Sequence, residues 1–304
     1  MDVGVIGLGH VGQALALNLA TAGYRLTVFD VNGDAMEPLR RKGASSAPSP
    51  KMVAEASDIV ITSLPSPAAS AQVVLGDDGI LKGLRPGATW IETSTTEPDE
   101  MRRLGAQVMA HGIDVLEAPL SGGVHKAKSG RITMLVGGEV EVFERHKAFF
   151  GAISGRAIHI GALGKASEIK IITNMMMFIN SIGMGEGLML AKRAGIDLRV
   201  AYEALCATVG NSWVFENEAQ LVLSGSYNIE YTMALAAKDL GLAQSLGRKY
   251  GVPLEIGSLT EKIYSRARAQ YGDDAWSTMV VKLLEDALAE PLRAPGFPER
   301  LADE

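Results

Sequence analysis

The chain has 304 residues, enough for about two domains and a sizeable core. Hydrophobic residues make up 47% and charged residues 21%, the balance of an ordinary soluble globular protein. A net charge of -6 excludes a general nucleic-acid or anionic-membrane surface, and the single cysteine, Cys206, excludes an intrachain disulfide framework and fits a reducing compartment, the cytoplasm.

Val3-Gly4-Val5-Ile6 reads as a short buried strand. Gly7-Leu8-Gly9-His10-Val11-Gly12 follows it directly, and residues 13–22 read as a helix. A G-x-G-x-x-G at a strand-to-helix turn is the dinucleotide-binding fingerprint, and each glycine has a mechanical job. Gly7 permits the tight turn, Gly9 lets backbone approach a pyrophosphate, and Gly12 lets the helix pack close on the strand. The phosphates then sit at the positive end of the helix, with Leu8, His10 and Val11 completing the cofactor turn. The apolar start has no basic n-region, so no signal peptide is expected.

Residues 24–29 read as the next strand, and Asp30 ends it about 20 positions past the fingerprint. A carboxylate there accepts hydrogen bonds from a ribose diol and repels a 2′-phosphate, which favours NAD over NADP. Its plainer role is to cap the turn before Asn32-Gly33, and Arg25, Arg40 and Arg41 nearby moderate the preference.

Further strands are predicted over residues 59–64, 89–93, 114–118, 133–138 and 157–160, alternating with helical stretches. That order predicts an α/β fold with a doubly wound parallel sheet, whose ligands bind outside the carboxyl ends of the strands. Ser63, Ser94, Thr95 and Ser121 stand at those ends, where the plainer role is to cap the following helix. After about residue 161 helical stretches take over, at 165–194, 198–207, 228–250 and 259–271. The expected organisation is a Rossmann-type dinucleotide-binding domain over 1–161, an all-helical substrate and dimerisation domain over 162–290, and a loose tail over 291–304. No apolar run of about 20 residues predicts a transmembrane helix. The five histidines are scattered, no Cys/His cluster has metal-ligand spacing, and no metal site is expected.

In the second half Lys170 and Asn174 are four residues apart, on one face of an otherwise apolar helix that should face the cleft between the halves. Two readings fit the pair. A desolvated lysine beside a cofactor can pass a proton to or from an alcohol oxygen while the asparagine holds the substrate. Alternatively, the lysine reaches solvent and the asparagine caps a helix–helix contact.

Four segments resemble the β-hydroxyacid dehydrogenases. Gly7 to Gly12 is one. Glu117-Ala118-Pro119-Leu120-Ser121-Gly122-Gly123 is similar to that family's D-x-P-V-S-G-G. Gly161-Ala162-Leu163-Gly164 running to Lys170 and Asn174 is similar to its G-x-x-G…K-x-x-N-N, and Lys238-Asp239-Leu240-Gly241-Leu242-Ala243 to its K-D-L-x-L-A. The resemblance implies hydride transfer between a nicotinamide and a small β-hydroxy acid. It implies Lys170 as the general acid/base, with Ser121, Gly122, Gly123 and Asn174 holding the substrate. Leu64 and Pro65 would line the adenosine side, and Thr95 and Lys238 would lie near the nicotinamide. It also implies a homodimer or homotetramer. Imine reductases and non-catalytic cofactor-binding scaffolds share the architecture, but Lys170 argues against both.

The chain departs from the pattern at Glu117, which replaces the usual aspartate, and at Lys126 and Arg131 after the S-G-G turn. These two are solvated surface residues, or they select a more polar or doubly anionic substrate. Relatives that oxidise four-carbon sugar acids such as threonate often carry a lysine there. Trp213 resembles a loop residue near the cleft, and core packing is the preferred expectation for it.

Overall fold

A computed structural model describes residues 1–302, which divide into two compact units, Met1–Lys170 and Ile171–Ala302. The first unit holds nine strands among the described residues: β1 Asp2–Ile6, β2 Arg25–Phe29, β3 Ser45–Ser46, β4 Ile59–Thr62, β5 Thr89–Glu92, β6 Asp114–Glu117, β7 Leu120–Ser121, β8 Thr133–Gly138 and β9 Arg156–Gly161. They form one sheet in the order β3-β2-β1-β4-β5-β6-β8-β7, with β9 paired on β8. Its helices are α1 His10–Thr21, α2 Glu37–Arg40, α3 Pro50–Glu55, α4 Pro67–Leu75, α5 Pro98–Met109, α6 Gly123–Lys128, α7 Val140–Arg145 and α8 Lys147–Ile153.

The central strands alternate between two cores, as the two-residue period of a strand requires. Val3, Val5, Ile59 and Ile61 pack with Leu15 and Leu19 of α1, whereas Ile6, Val60 and Trp90 pack with Val53 and Leu104. Strands β3 to β6 along the sheet are mutually parallel. The expectation of a parallel sheet fails beyond β6: β8 runs antiparallel to β6 and β7 and carries β9 parallel to itself. A parallel neighbour needs a crossover that returns to the starting edge. Between β6 and β8 the chain forms only β7 and the six-residue α6, so it reverses instead.

The second unit is helical. α9 Lys165–Arg193 leads into it, followed by α10 Leu198–Cys206, α11 Trp213–Ser224, α12 Met233–Tyr250, α13 Glu255–Tyr271 and α14 Lys282–Leu288. Among the described residues no helix is long and apolar enough to cross a membrane. The helix expected from residue 228 starts at Met233, because Tyr227 and Glu230 hold positive φ and the Thr232 hydroxyl caps the amide of Leu235. α11, outside the predicted stretches, is started by the Ser212 hydroxyl on the amide of Phe215. Trp213 opens α11 at 37% exposure, so it is not the core residue expected. Of the tail expected to be loose, residues 292–294 are anchored. Leu292 is fully buried, Ala294 N–H donates to Leu223 O at 3.0 Å, and Arg293 pairs with Glu285 at 2.9 Å.

Candidate cofactor and substrate sites

The turn after β1 is built around its glycines. Gly7 has φ +86°, and a Cβ on it would overlap the Ser63 carbonyl oxygen; a Cβ on Gly12 would overlap the carbonyl oxygen of Gly7. Gly9 differs, because nothing lies within 4 Å of where its Cβ would be. The protein's own packing therefore does not demand glycine there. Gly9 is also the N-cap of α1 and offers no side chain to its first-turn N–H groups. An open cradle lined by helix N-terminal amides fits the pyrophosphate of a dinucleotide. Leu8 is buried in the core, whereas Gly9 and His10 are exposed and Val11 is half-buried.

Asp30 is half-buried and takes the plainer of its two expected roles, holding the turn before Asn32-Gly33, and it also holds the glycine turn. Its Oδ2 accepts Leu8 N–H at 2.6 Å and its Oδ1 accepts Asn32 N–H at 2.8 Å. Each carboxylate oxygen keeps a further lone pair for a ribose hydroxyl.

The carboxyl ends of β4 and β5 are joined by a side-chain relay. Leu64 N–H donates to Ser94 Oγ at 2.7 Å, and Ser94 donates through N–H and Oγ to Glu92 Oε1 at 2.8 and 2.5 Å. This sets Leu64-Pro65 beside Ser94-Thr95. Ser94 thus bridges strands, and α5 is capped by Glu97 instead. Burial pushes the Glu92 carboxyl above its usual range. Glu92 was not singled out from sequence; the available signal was an acidic residue ending the apolar run Thr89-Trp90-Ile91.

Ser121 lies in β7 opposite Thr133, and Gly122 and Gly123 follow with φ +128° and +85°, both in the region that favours glycine. Such a turn presents backbone N–H groups to an anion. The methylene chain of Lys126 lies against it: a Cβ on Gly122 would be 3.1 Å from Lys126 Cδ. Arg131 is exposed, with Nε 3.4 Å from Ser129 Oγ, and reads as a surface residue. Lys170 is half-buried in the second turn of α9.

In the helical unit Asn174 and Lys238 converge on one buried anion. Asp239, 0% exposed, accepts Asn174 Nδ2 on Oδ2 at 2.5 Å, and Lys238 Nζ lies 3.2 Å from its Oδ1. The Tyr231 hydroxyl also donates to Oδ2. Burial and the Asp239 charge push the Tyr231 phenol well above its usual value, so it remains a donor.

Residues 2–161 match the NAD-binding domain of 6-phosphogluconate dehydrogenase. Residues 164–284 match the family described as NAD-binding of NADP-dependent 3-hydroxyisobutyrate dehydrogenase. The chain is 35% identical over 269 residues to the mitochondrial 3-hydroxyisobutyrate dehydrogenase of Rattus norvegicus, covering 86% of this chain and 80% of that protein. It is 34% identical over 270 residues to the NAD-dependent L-serine dehydrogenase of Pseudomonas aeruginosa, covering 86% and 91%. Among solved structures it is similar to 3-hydroxyisobutyrate dehydrogenase from Salmonella typhimurium, with a TM-score of 0.85 at 29% identity over 93% of this chain and 99% of that one.

Proposed function

This chain belongs to the β-hydroxyacid dehydrogenase family, and we propose that it uses NAD in preference to NADP, with Lys170 as its general acid/base. It is a nicotinamide-dependent hydroxyacid dehydrogenase. Bound NAD⁺ supplies the hydride acceptor. Lys170, in its neutral form, takes the hydroxyl proton as the alcohol becomes a carbonyl, and returns it in the reverse direction. The Ser121 hydroxyl and the N–H groups of Gly122 and Gly123 hold the substrate carboxylate, and Asn174 orients the substrate. The turn from Gly7 to Gly12 holds the pyrophosphate and Asp30 the ribose diol. Leu64 and Pro65 line the adenosine side, and Thr95 and Lys238 lie near the nicotinamide.

The observation that carries the reading is the polar pair on α9. Lys170 is half-buried one helical turn before Asn174, while Asn174, nearly fully buried, gives its amide to Asp239 of α12, the helix–helix contact that the sequence also allowed. Lys170→Ala tests it: turnover is lost while NADH binding remains, and unchanged turnover removes the lysine from the mechanism.

For the substrate, Lys126 against Gly122 supports a polar group beyond the carboxylate, and a four-carbon sugar acid such as threonate is the leading candidate. The helical unit exposes Ile172, Met176, Leu190, Ile256 and Leu259, which supports a homodimer or homotetramer. Light scattering that returned a single-subunit mass would refute that assembly.

A further inference from the structure

Glu117 ends β6 and is 1% exposed. Its carboxylate meets four donors, all from the start of α9. Oε1 accepts Gly164 N–H at 2.6 Å and Ala166 N–H at 3.0 Å; Oε2 accepts Ser167 N–H at 3.2 Å and the Ser167 hydroxyl. Gly164 accepts the first helical hydrogen bond, from Glu168 N–H, and has no side chain with which to cap the helix. The cap comes instead from a residue 47 positions earlier. The sheet makes room for it: Gly137 of β8 is Glu117's register partner, and a Cβ there would overlap the carboxylate.

These four donors suit an acceptor-only carboxylate at a helix N-terminus, and they oppose the burial that pushes the Glu117 carboxyl above its usual range. A second clamp holds the same turn from α5. Arg102 Nε donates to Leu163 O at 3.2 Å, and its Nη2 pairs with Glu168 at 2.5 Å. Four residues after Glu117 the chain reaches Ser121-Gly122-Gly123. Three residues after Ser167 it reaches Lys170.

We propose that Glu117 is a positioning residue: its buried carboxylate fixes the first turns of α9, and hence Lys170, against the strand end that launches the Ser121-Gly122-Gly123 turn. The proposal rests on the reading of Lys170 as the proton carrier and of that turn as the carboxylate site. Glu117 touches neither substrate nor cofactor in this account. It acts by holding the distance between the group that anchors the substrate and the group that moves its proton, and misplacement of such groups by an ångström costs about 100-fold in rate.

The test compares Glu117→Gln, Glu117→Asp, Ser167→Ala and Lys170→Ala with the wild type. NAD⁺ reduction is followed with L-serine, 3-hydroxyisobutyrate and L-threonate, the isotope effect on kcat with substrate deuterated at the carbinol carbon, and NADH affinity by fluorescence. Glu117→Gln, which sets an amide donor against backbone donors, is expected to lower kcat about 100-fold and raise the isotope effect at unchanged NADH affinity. Glu117→Asp restores kcat to about a tenth of wild type or better, because the carboxylate is kept. If the glutamine variant does not fold, Ser167→Ala carries the test, with kcat lowered a few fold and a smaller rise in isotope effect. A wild-type kcat in Glu117→Gln, or a lowered kcat with an unchanged isotope effect, overturns the proposal. Unchanged turnover in Lys170→Ala overturns the Lys170 reading separately. A wild type that oxidises none of the three, nor glycerate, D-erythronate or 3-hydroxypropionate, while still binding NADH, removes both.

Discussion

The Leu8 amide donates to the Asp30 carboxylate at 2.6 Å, so the residue proposed to read the ribose also holds the glycine turn that cradles the pyrophosphate. Asp30→Asn keeps one acceptor oxygen, for the Leu8 amide, gives up the contact with Asn32 N–H, and loses the repulsion of a 2′-phosphate. The ratio of kcat/KM for NAD⁺ over NADP⁺ is expected to fall about tenfold, the equivalent of ~1.4 kcal/mol. Asp30→Ala loosens the turn and weakens both cofactors. An unchanged ratio in Asp30→Asn would remove the carboxylate from cofactor choice.

Two glycines of the same turn separate folding from binding. A Cβ on Gly12 overlaps the Gly7 carbonyl, whereas a Cβ on Gly9 meets nothing within 4 Å, and Gly9 has an ordinary φ of -62°. Gly12→Ala is expected to lower the melting temperature. Gly9→Ala is expected to leave it unchanged while weakening NADH binding by about tenfold or more, because the methyl group occupies the cradle. Equal NADH affinity in Gly9→Ala and wild type would place the pyrophosphate elsewhere.

Glu218 of α11 sets a pH dependence of stability. It is fully enclosed, accepts a hydrogen bond from Ser181 Oγ at 3.1 Å, and burial pushes its carboxyl up to about 7. Between the ordinary carboxyl value and about pH 7 the folded chain holds a proton that the unfolded chain has released. Stability is therefore fullest at the acid end of this window, falls as pH rises through it, and is flat above, a loss of roughly 3 kcal/mol. Glu218→Gln keeps an acceptor for Ser181 and cannot ionise. Its denaturation midpoint is expected to exceed wild type at about pH 8 and to lose most of the decline. Parallel curves for the two proteins would show that Glu218 does not titrate in this range.

Lys126 gives the substrate prediction. Its methylene chain lies on Gly122, which puts the side chain beside the proposed carboxylate turn. Lys126→Ala is expected to raise KM for L-threonate about tenfold while leaving 3-hydroxyisobutyrate within about twofold, as for the loss of one charge-assisted contact. Equal effects on both substrates would return Lys126 to the role of a surface residue.

Local requirements were legible in the chain and distant ones were not. Gly7, Gly9 and Gly12 could be read because the turn, the strand before it and the helix after it lie within a few residues of one another. The reversal at β8 depends on pairing with β6 across an intervening turn, and strand patterning alone does not distinguish the two directions. Trp213 was expected in the core because of its size, but its place at the first position of α11 leaves it partly exposed. Nothing local in the sequence marks Glu92, Glu117 or Asp239 as buried carboxylates. Their burial follows from donors that arrive from elsewhere, such as Ser167, 50 positions from Glu117, and Asn174, 65 positions from Asp239. The anchored segment around Leu292 was missed for the same reason, since Leu223 and Glu285 hold it.

The central claim is tested most directly by NAD⁺ and NADP⁺ reduction, followed at the nicotinamide absorbance, against 3-hydroxyisobutyrate, glycerate, L-serine, L-threonate, D-erythronate and 3-hydroxypropionate. The account predicts turnover of at least one of these acids, with NAD⁺ preferred. No turnover of any of them, in a protein that still binds NADH, would contradict it.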